Sequence, residues 1–346
     1  MNVRKKLLLV FCGVVCVLLA GGAILEIWCR LTHKAQLQPC CDPGLNRRRG
    51  EFMPSGNVML GWQVNPKNYT MNCAGYHLNS QGFADREYEV RKESNVYRIV
   101  VLGDSITEQG WYVKYLEGLM NKSGLPATFE VWNCGVGEYS VSQYYYLLKE
   151  KVLRYHPDMV IIGFCLNDFA EAPVVSLFAD GAFMSYSNPL VRGRHEFPFR
   201  ISAPLFFHSY AYRYLIFAIH RSLNRDTLLP NYFFAPENPK GMVENMLRSI
   251  RNITERNHVK LVTAIIPLFK KPYHEIEQKK YSEMKELFHK NDIRCIDLYS
   301  YFPDLGDISW RWNSRDYSLP SEKGHKIIGQ KIYDYLMAER DYWYKK

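Results

Sequence analysis

From residue 97 onward, short apolar runs alternate with longer stretches of helical spacing, and this alternation limits the fold more than any other feature of the chain. "YRIVVLG" (97–103), "TFEVWN" (128–133), "DMVIIGF" (158–164), "VKLVTAIIP" (259–267) and "IRCIDL" (293–298) read as strands. Between and after them lie "WYVKYLEGLM", "SQYYYLLKEKVLRY", "GMVENMLRSIRNITERN", "YSEMKELFHKN" and "SEKGHKIIGQKIYDYLM", which read as amphipathic helices. Five short apolar strands separated by such helices predict an α/β fold, a parallel five-stranded sheet with helices on both faces. A chain of 346 residues, 47% of them hydrophobic, can fill that core. In such sheets ligands bind at the carboxyl ends of the strands. Here those ends carry "GDSI", "NCGVGEYS" and "LND".

The stretch 169–237 interrupts the alternation. It is rich in Phe, Tyr and Pro, and "SYAYRYLIFAIHRSL" has a helical apolar stripe. It reads as a helical insertion that either packs on the domain or walls the strand ends. Arg213, His220 and Arg221 punctuate the stripe and argue against a second membrane span.

The N-terminus has its own logic. Arg4, Lys5 and Lys6 precede Leu7 to Leu25, nineteen residues without a charge, and apolar character resumes at Ile27 and Trp28. Residues 1–30 therefore read as a transmembrane anchor. Ala20-Gly21-Gly22-Ala23 offers the small residues of a cleavage site, so a removed leader is the alternative. Basic residues before the span place the N-terminus in the cytoplasm and the rest outside it, in the periplasm of a Gram-negative cell. Residues 31–56, with the Arg47-Arg48-Arg49 run, read as a linker. Residues 57–95 hold short aromatic segments broken by Asn and Gly and read as a small β layer; residues 96–340 form the main domain.

The net charge of +9 is spread along the chain, with no basic run interleaved with aromatics, so nucleic acid is not an expected partner. Of nine cysteines, Cys12, Cys16 and Cys29 fall in or beside the span. Cys40 or Cys41 with Cys73 is the plausible exported bridge. Cys134, Cys165 and Cys295 read as small buried residues. No CxxC pair or His/Cys cluster has metal-ligand spacing, so neither a metal nor another cofactor is expected.

Ser105 follows a strand and precedes a helix, which suits a nucleophile exposed at a sheet edge. A nucleophilic serine needs a base for its proton and donors for the oxyanion. Asn167, at the third strand's end, can offer a side-chain amide. In order and spacing, "LNSQGFADREY", "YRIVVLGDSIT", "VWNCGVGEYS", "YHPDMVIIGFCLNDF" and a terminal "D…GH" helix resemble the SGNH, or GDSL, hydrolases, in particular their membrane-anchored bacterial branch. The resemblance runs from the anchor to the C-terminus. It implies a flavodoxin-like sheet and ester hydrolysis or acyl transfer. By position, Ser105 matches the nucleophile and its N–H one oxyanion donor. Asn167 matches the side-chain oxyanion donor, and Asp104 the acid that stabilises the turn.

Two positions depart from the family pattern. Its second block has a glycine five residues after the asparagine, where this chain has Glu138; Gly135 and Gly137 stand close by. Glutamate resists backbone angles that glycine admits, and its carboxylate opposes an oxyanion unless it points to solvent. The last block reads Asp-x-x-His in the family. Here Asp316 is followed at that distance by Leu319, which takes no proton. His325 is the nearest histidine. With Ser321 as N-cap, His325, Ile328, Ile332 and Tyr335 share an inward face. A helix N-terminus favours the neutral imidazole a base needs, but His325 lies ~6 Å along the axis beyond the cap. It reads either as the base or as a core histidine. His77, His156, His195 and His208 are further alternatives, with His156 at the wrong end of the sheet. The chain therefore reads as an exported serine ester hydrolase or O-acyltransferase acting on an acylated envelope glycan or lipid. The rival reading is a degenerate hydrolase scaffold that binds a glycan or an assembly partner.

Overall fold

The computed structural model describes residues 3–32, 52–54, 60, 62–137, 139–169, 173–179, 182–187, 205, 209–223, 240–313 and 316–344. Its main elements, in chain order, are α1 (Val3–Leu31), β1 (Phe52–Pro54), β2 (Trp62–Val64), β3 (Val96–Gly103), α2 (Ser105–Glu108), α3 (Trp111–Met120), β4 (Thr128–Asn133), α4 (Val141–Leu147), β5 (Met159–Phe164), β6 (Pro173–Ala179), β7 (Ala182–Ser187), α5 (Tyr210–Leu223), α6 (Lys240–Arg256), β8 (Lys260–Ile265), α7 (Glu275–Lys290), β9 (Cys295–Asp297), β10 (Arg311–Asn313), β11 (Asp316–Pro320) and α8 (Glu322–Ala338). They divide into two compact units. The larger comprises residues 50–52, 63–172 and 230–346, and the smaller residues 1–49, 53–62 and 173–229.

The larger unit holds the expected sheet. Its five strands run in the order β4-β3-β5-β8-β9, all parallel. Ile99, Val100, Val101 and Leu102 are completely buried, as are Met159 to Ile162. Strands covered on both faces need apolar residues at every position, which is why these segments read as unbroken runs. β3 and β5 pair in register to their ends, Gly103 opposite Gly163. That register brings "GDS" and "CLND" to the same edge.

α8 behaves as its spacing predicts. Ser321 caps it, its Oγ accepting from Gly324 N at 3.3 Å, and His325, Ile328, Ile332 and Leu336 are all buried. Burying such aliphatic side chains contributes about 1.5–3 kcal/mol each. Gly329 lets α8 approach α3 closely: a Cβ there would lie 2.9 Å from Tyr112 O.

Two segments carry detail beyond what was expected of them. The segment 57–95, expected as a small β layer, holds the strand β2, which pairs with β1, and beyond it turns and an isolated bridge, Leu78 to Ala84. Asparagine side chains organise this segment: Asn72 Oδ1 accepts from Tyr76 N and Asn79 Oδ1 from Phe83 N. Such local bonds offer the backbone an alternative to ladder pairing. The insertion is also not purely helical. An antiparallel hairpin, β6 and β7, precedes α5, in segments rich in β-branched and aromatic residues. Cys40 and Cys41, and with them the expected bridge to Cys73, lie outside the described residues, as do most of the linker, His195 and His208.

Candidate active site

β3 ends at Gly103, and the chain turns at once into α2. Asp104 makes the turn: its Oδ1 accepts from Ile106 N at 2.9 Å and caps the helix. Ser105 is the first helical residue, so its N–H has no intrahelical partner. It is half-buried, and among the described residues no hydrogen bond reaches its Oγ. The turn is tight because both strand ends carry glycine. A Cβ on Gly103 would collide with Thr107 Oγ1, and one on Gly163 would lie 2.6 Å from Tyr112 Oη. Beneath them Thr107 and Tyr112 share a buried hydrogen bond of 2.7 Å.

The loop after β4 comes next to α2. Asn133 is buried: its Oδ1 accepts from Gly135 N at 3.0 Å, and its Nδ2 reaches Ala84 O and Glu108 O at 3.3 and 3.4 Å. Gly135 is pressed against α2, where a Cβ would meet Glu108 N and lie 2.6 Å from Thr107 Cβ. Gly137 N donates to Glu108 Oε2 at 2.7 Å. Glu138 lies outside the described residues. Behind the loop, Asp85 accepts from Asn133 N at 2.6 Å and from Tyr88 Oη at 3.0 Å. Burial raises its carboxyl to about 7.

The turn after β5, Leu166–Phe169, carries Asn167, whose backbone is placed here and whose side chain is not described. Its neighbour Asp168 holds the turn. This carboxyl is fully buried, accepts from Cys165 N at 2.8 Å and Tyr144 Oη at 2.7 Å, and sits 3.4 Å from Cys165 Sγ. The same sulfur lies 3.2 Å from Asp104 Oδ2. Burial, and then the negative charge of Asp104, push Asp168 well above the carboxylate range.

β11 packs against α2. Asp316 opens it, its side chain outside the described set, and Leu319 near its end is buried in the core shared with Phe269 and Trp310. An apolar side chain thus fills the position three residues after Asp316. His325 is brought elsewhere. Its Nε2 meets Gln109 Oε1 at 2.5 Å, its ring lies parallel to Tyr112 at 5.8 Å and edge-on to Trp111 at 5.5 Å, and among the described residues its Nδ1 has no hydrogen-bond partner. Burial lowers its pKa to about 3. Among the described residues no hydrogen bond joins His325 to Ser105. His77 and His156 are both exposed, and His156 precedes β5 at the opposite end of the sheet.

The strand ends therefore gather Asp104, Ser105, Gly135, Gly137 and the Asn167 turn. They leave Leu319 in the core and His325 on Gln109. Sequence reasoning passed over Glu108 and Asp168. Both had a signal: Glu108 stands three residues after Ser105, a helical same-side spacing, and Asp168 is the acid of "LND".

Residues 99–332 match the family model described as GDSL-like lipase/acylhydrolase. No curated protein matches the chain. Similar solved structures include a GDSL-like lipase from Bacteroides thetaiotaomicron, at 15% identity, 70% of this chain, 88% of that chain and TM-score 0.40. A catalytic mutant of an acetylxylan esterase from Geobacillus stearothermophilus matches at 15% identity, 69% of this chain, 93% of that one and TM-score 0.45. A lipase/acylhydrolase from Enterococcus faecalis matches at 15% identity over 70% of this chain and 96% of that one, with TM-score 0.41.

Proposed function

Because this chain belongs to the GDSL-like lipase/acylhydrolase family, we propose that it is an extracytoplasmic serine ester hydrolase or O-acyltransferase acting on an acylated envelope glycan or lipid. The observation that carries this reading is the Asp104-capped turn at the end of β3, where Ser105 is half-buried and, among the described residues, no hydrogen bond engages its hydroxyl. Ser105 Oγ attacks the acyl carbonyl. Its own N–H and, by family position, the Asn167 amide hold the oxyanion.

Leu319 accepts no proton, and His325 Nε2 is engaged by Gln109. In this reading Glu108 takes the serine proton. It stands one helical turn after Ser105 on the same side of α2, and helical side chains lean toward the N-terminus. The Gly137 N–H steadies its carboxylate. Glu108 then gives the proton to the departing alcohol, leaving the acyl group on Ser105 Oγ. Water, or an acceptor hydroxyl, loses its proton to Glu108 as it attacks that ester, and Glu108 returns the proton to the departing Ser105 Oγ, which restores the hydroxyl and the carboxylate. Asp316 keeps its family position but has no imidazole to orient. The apolar helix Val10–Leu31 serves as the membrane anchor, with Arg4, Lys5 and Lys6 inside.

A fluorophosphonate probe tests the reading. Ser105 should be labelled in the full-length protein, and Ser105→Ala should abolish labelling. A folded protein that takes no label at any pH between 5 and 9 overturns it. The buried Leu319 favours a second reading, a scaffold that uses the same cleft to bind an acylated glycan without turnover.

A further inference from the structure

The smaller unit contains a junction that the esterase chemistry does not use. α5 begins against the last turns of α1. Glu26 of α1 accepts from Ser209 Oγ at 2.8 Å, Tyr210 N at 3.2 Å and Ala211 N at 2.7 Å, so a carboxylate of the apolar helix caps the insertion helix. Arg30 Nε also binds Glu26, at 2.7 Å, and its guanidinium lies 4.7 Å from the Tyr210 ring centroid. Trp28 meets Tyr214 edge-on at 5.6 Å. Cys29, Ala211 and Arg213 are buried in this contact.

The rest of α1 is bare. Val17, Leu18 and Leu19 are about as exposed as Leu31 at its end. The junction therefore sits at one end of a membrane-length apolar helix. Trp28, Tyr210 and Tyr214 cluster there, and Trp and Tyr are the residues enriched where a bilayer meets water. Tyr210 touches residues on both sides of Trp28, whereas Tyr214 reaches Trp28 itself. α5 thus crosses α1 rather than running along it. Helical spacing puts Leu215 on the side of α5 away from Arg213, which is buried against α1. Leu215 is 50% exposed, and Leu205, just before the helix, is 52% exposed.

We propose that α5 is an interfacial helix. It lies in the headgroup boundary of the bilayer that α1 spans, Leu215 toward the acyl chains, and the Glu26 clasp holds it there. This rests on the reading of α1 as a retained anchor. The occupant of the apolar side is the lipid surface, because that side continues from the end of the span. A helix that carries exposed apolar side chains beside a cluster of Trp and Tyr is suited to that depth. Glu26, costly near hydrocarbon if bare, is there fully hydrogen-bonded.

Photo-crosslinking tests this in full-length protein reconstituted in phosphatidylcholine–phosphatidylglycerol vesicles. Benzoylphenylalanine replaces, in separate proteins, Val17 in the span, Leu215 on α5, or the exposed Lys326 on α8. Lipid adducts are counted by mass spectrometry. Adducts at 17 and 215 but not at 326 are expected. Adducts at 17 without any at 215 overturn the proposal while leaving the anchor in place. Adducts at neither position overturn the anchor itself. Glu26→Ala should lower the yield at 215 roughly fivefold, the shift that loss of a capping side chain produces, with the yield at 17 unchanged. An unchanged yield at 215 would show that the clasp does not hold α5.

Discussion

The Glu108 carboxylate accepts the main-chain N–H of Gly137 at 2.7 Å, so the loop after β4 is tied to the helix that begins with Ser105. In a serine hydrolase that loop is where oxyanion donors are expected. Here one of its amides anchors an acid instead, one turn from the candidate nucleophile.

Glu108→Gln decides the role of that acid. The amide keeps an oxygen for Gly137 but accepts no proton from Ser105. The rate of fluorophosphonate labelling should fall ~100-fold or more, within the range for loss of a positioned base, with the melting temperature near that of the parent. A faster reaction in the variant would instead mark Glu108 as an obstruction.

Leu319 tests whether an imidazole can be restored. Leu319→His introduces a base three residues after Asp316, on a strand that packs against α2. Because Glu108 already serves as the base in the proposed mechanism, hydrolysis of p-nitrophenyl acetate should change little in the single variant, whereas in the Glu108→Gln background it should rise by ~100-fold or more. The rise should follow neutralisation of the new imidazole, near pH ~6.5 in the absence of other influences. Leu319→Ala, which leaves a cavity in the core, should give no gain and cost about 2–5 kcal/mol of stability.

His325 is expected to matter for stability in acid, not for the reaction. Its folded pKa is about 3, lowered by burial, whereas the unfolded chain's histidine titrates near ~6.5. Below ~6.5 the unfolded state binds the extra proton, so stability falls with falling pH until about 3, by up to ~1.4 kcal/mol per unit. His325→Gln should flatten that limb in urea titrations between pH 4 and 7. Ser105 labelling should stay within about twofold of the parent, and a loss of labelling would return His325 to the mechanism.

Asp85 has the opposite sign. Its carboxyl, raised to about 7 by burial, holds a proton that the unfolded chain gives up near ~3.9. Stability is therefore fully present below ~3.9 and falls as pH rises toward about 7, again by up to ~1.4 kcal/mol per unit. Asp85→Asn should remove this slope. An unaltered pH profile would show that the carboxyl is ionised beside Asn133 N.

The sequence by itself determined the sheet, the turn at Ser105 and the cap of α8. Each is a local matter: apolar runs mark strands covered on both faces, Gly-Asp-Ser contains its own cap, and Ser321 stands three residues before the amide it accepts from. The absent imidazole at Leu319 was equally plain, because it needed only a count from Asp316. Tertiary structure decided the rest. His325 meets Gln109 across 216 residues, Asp85 meets Asn133 across 48, and Glu26 meets the start of α5 across more than 180. No periodicity encodes such pairings, because they depend on how far one element rotates against another. A buried polar group takes whichever partner that packing brings within reach.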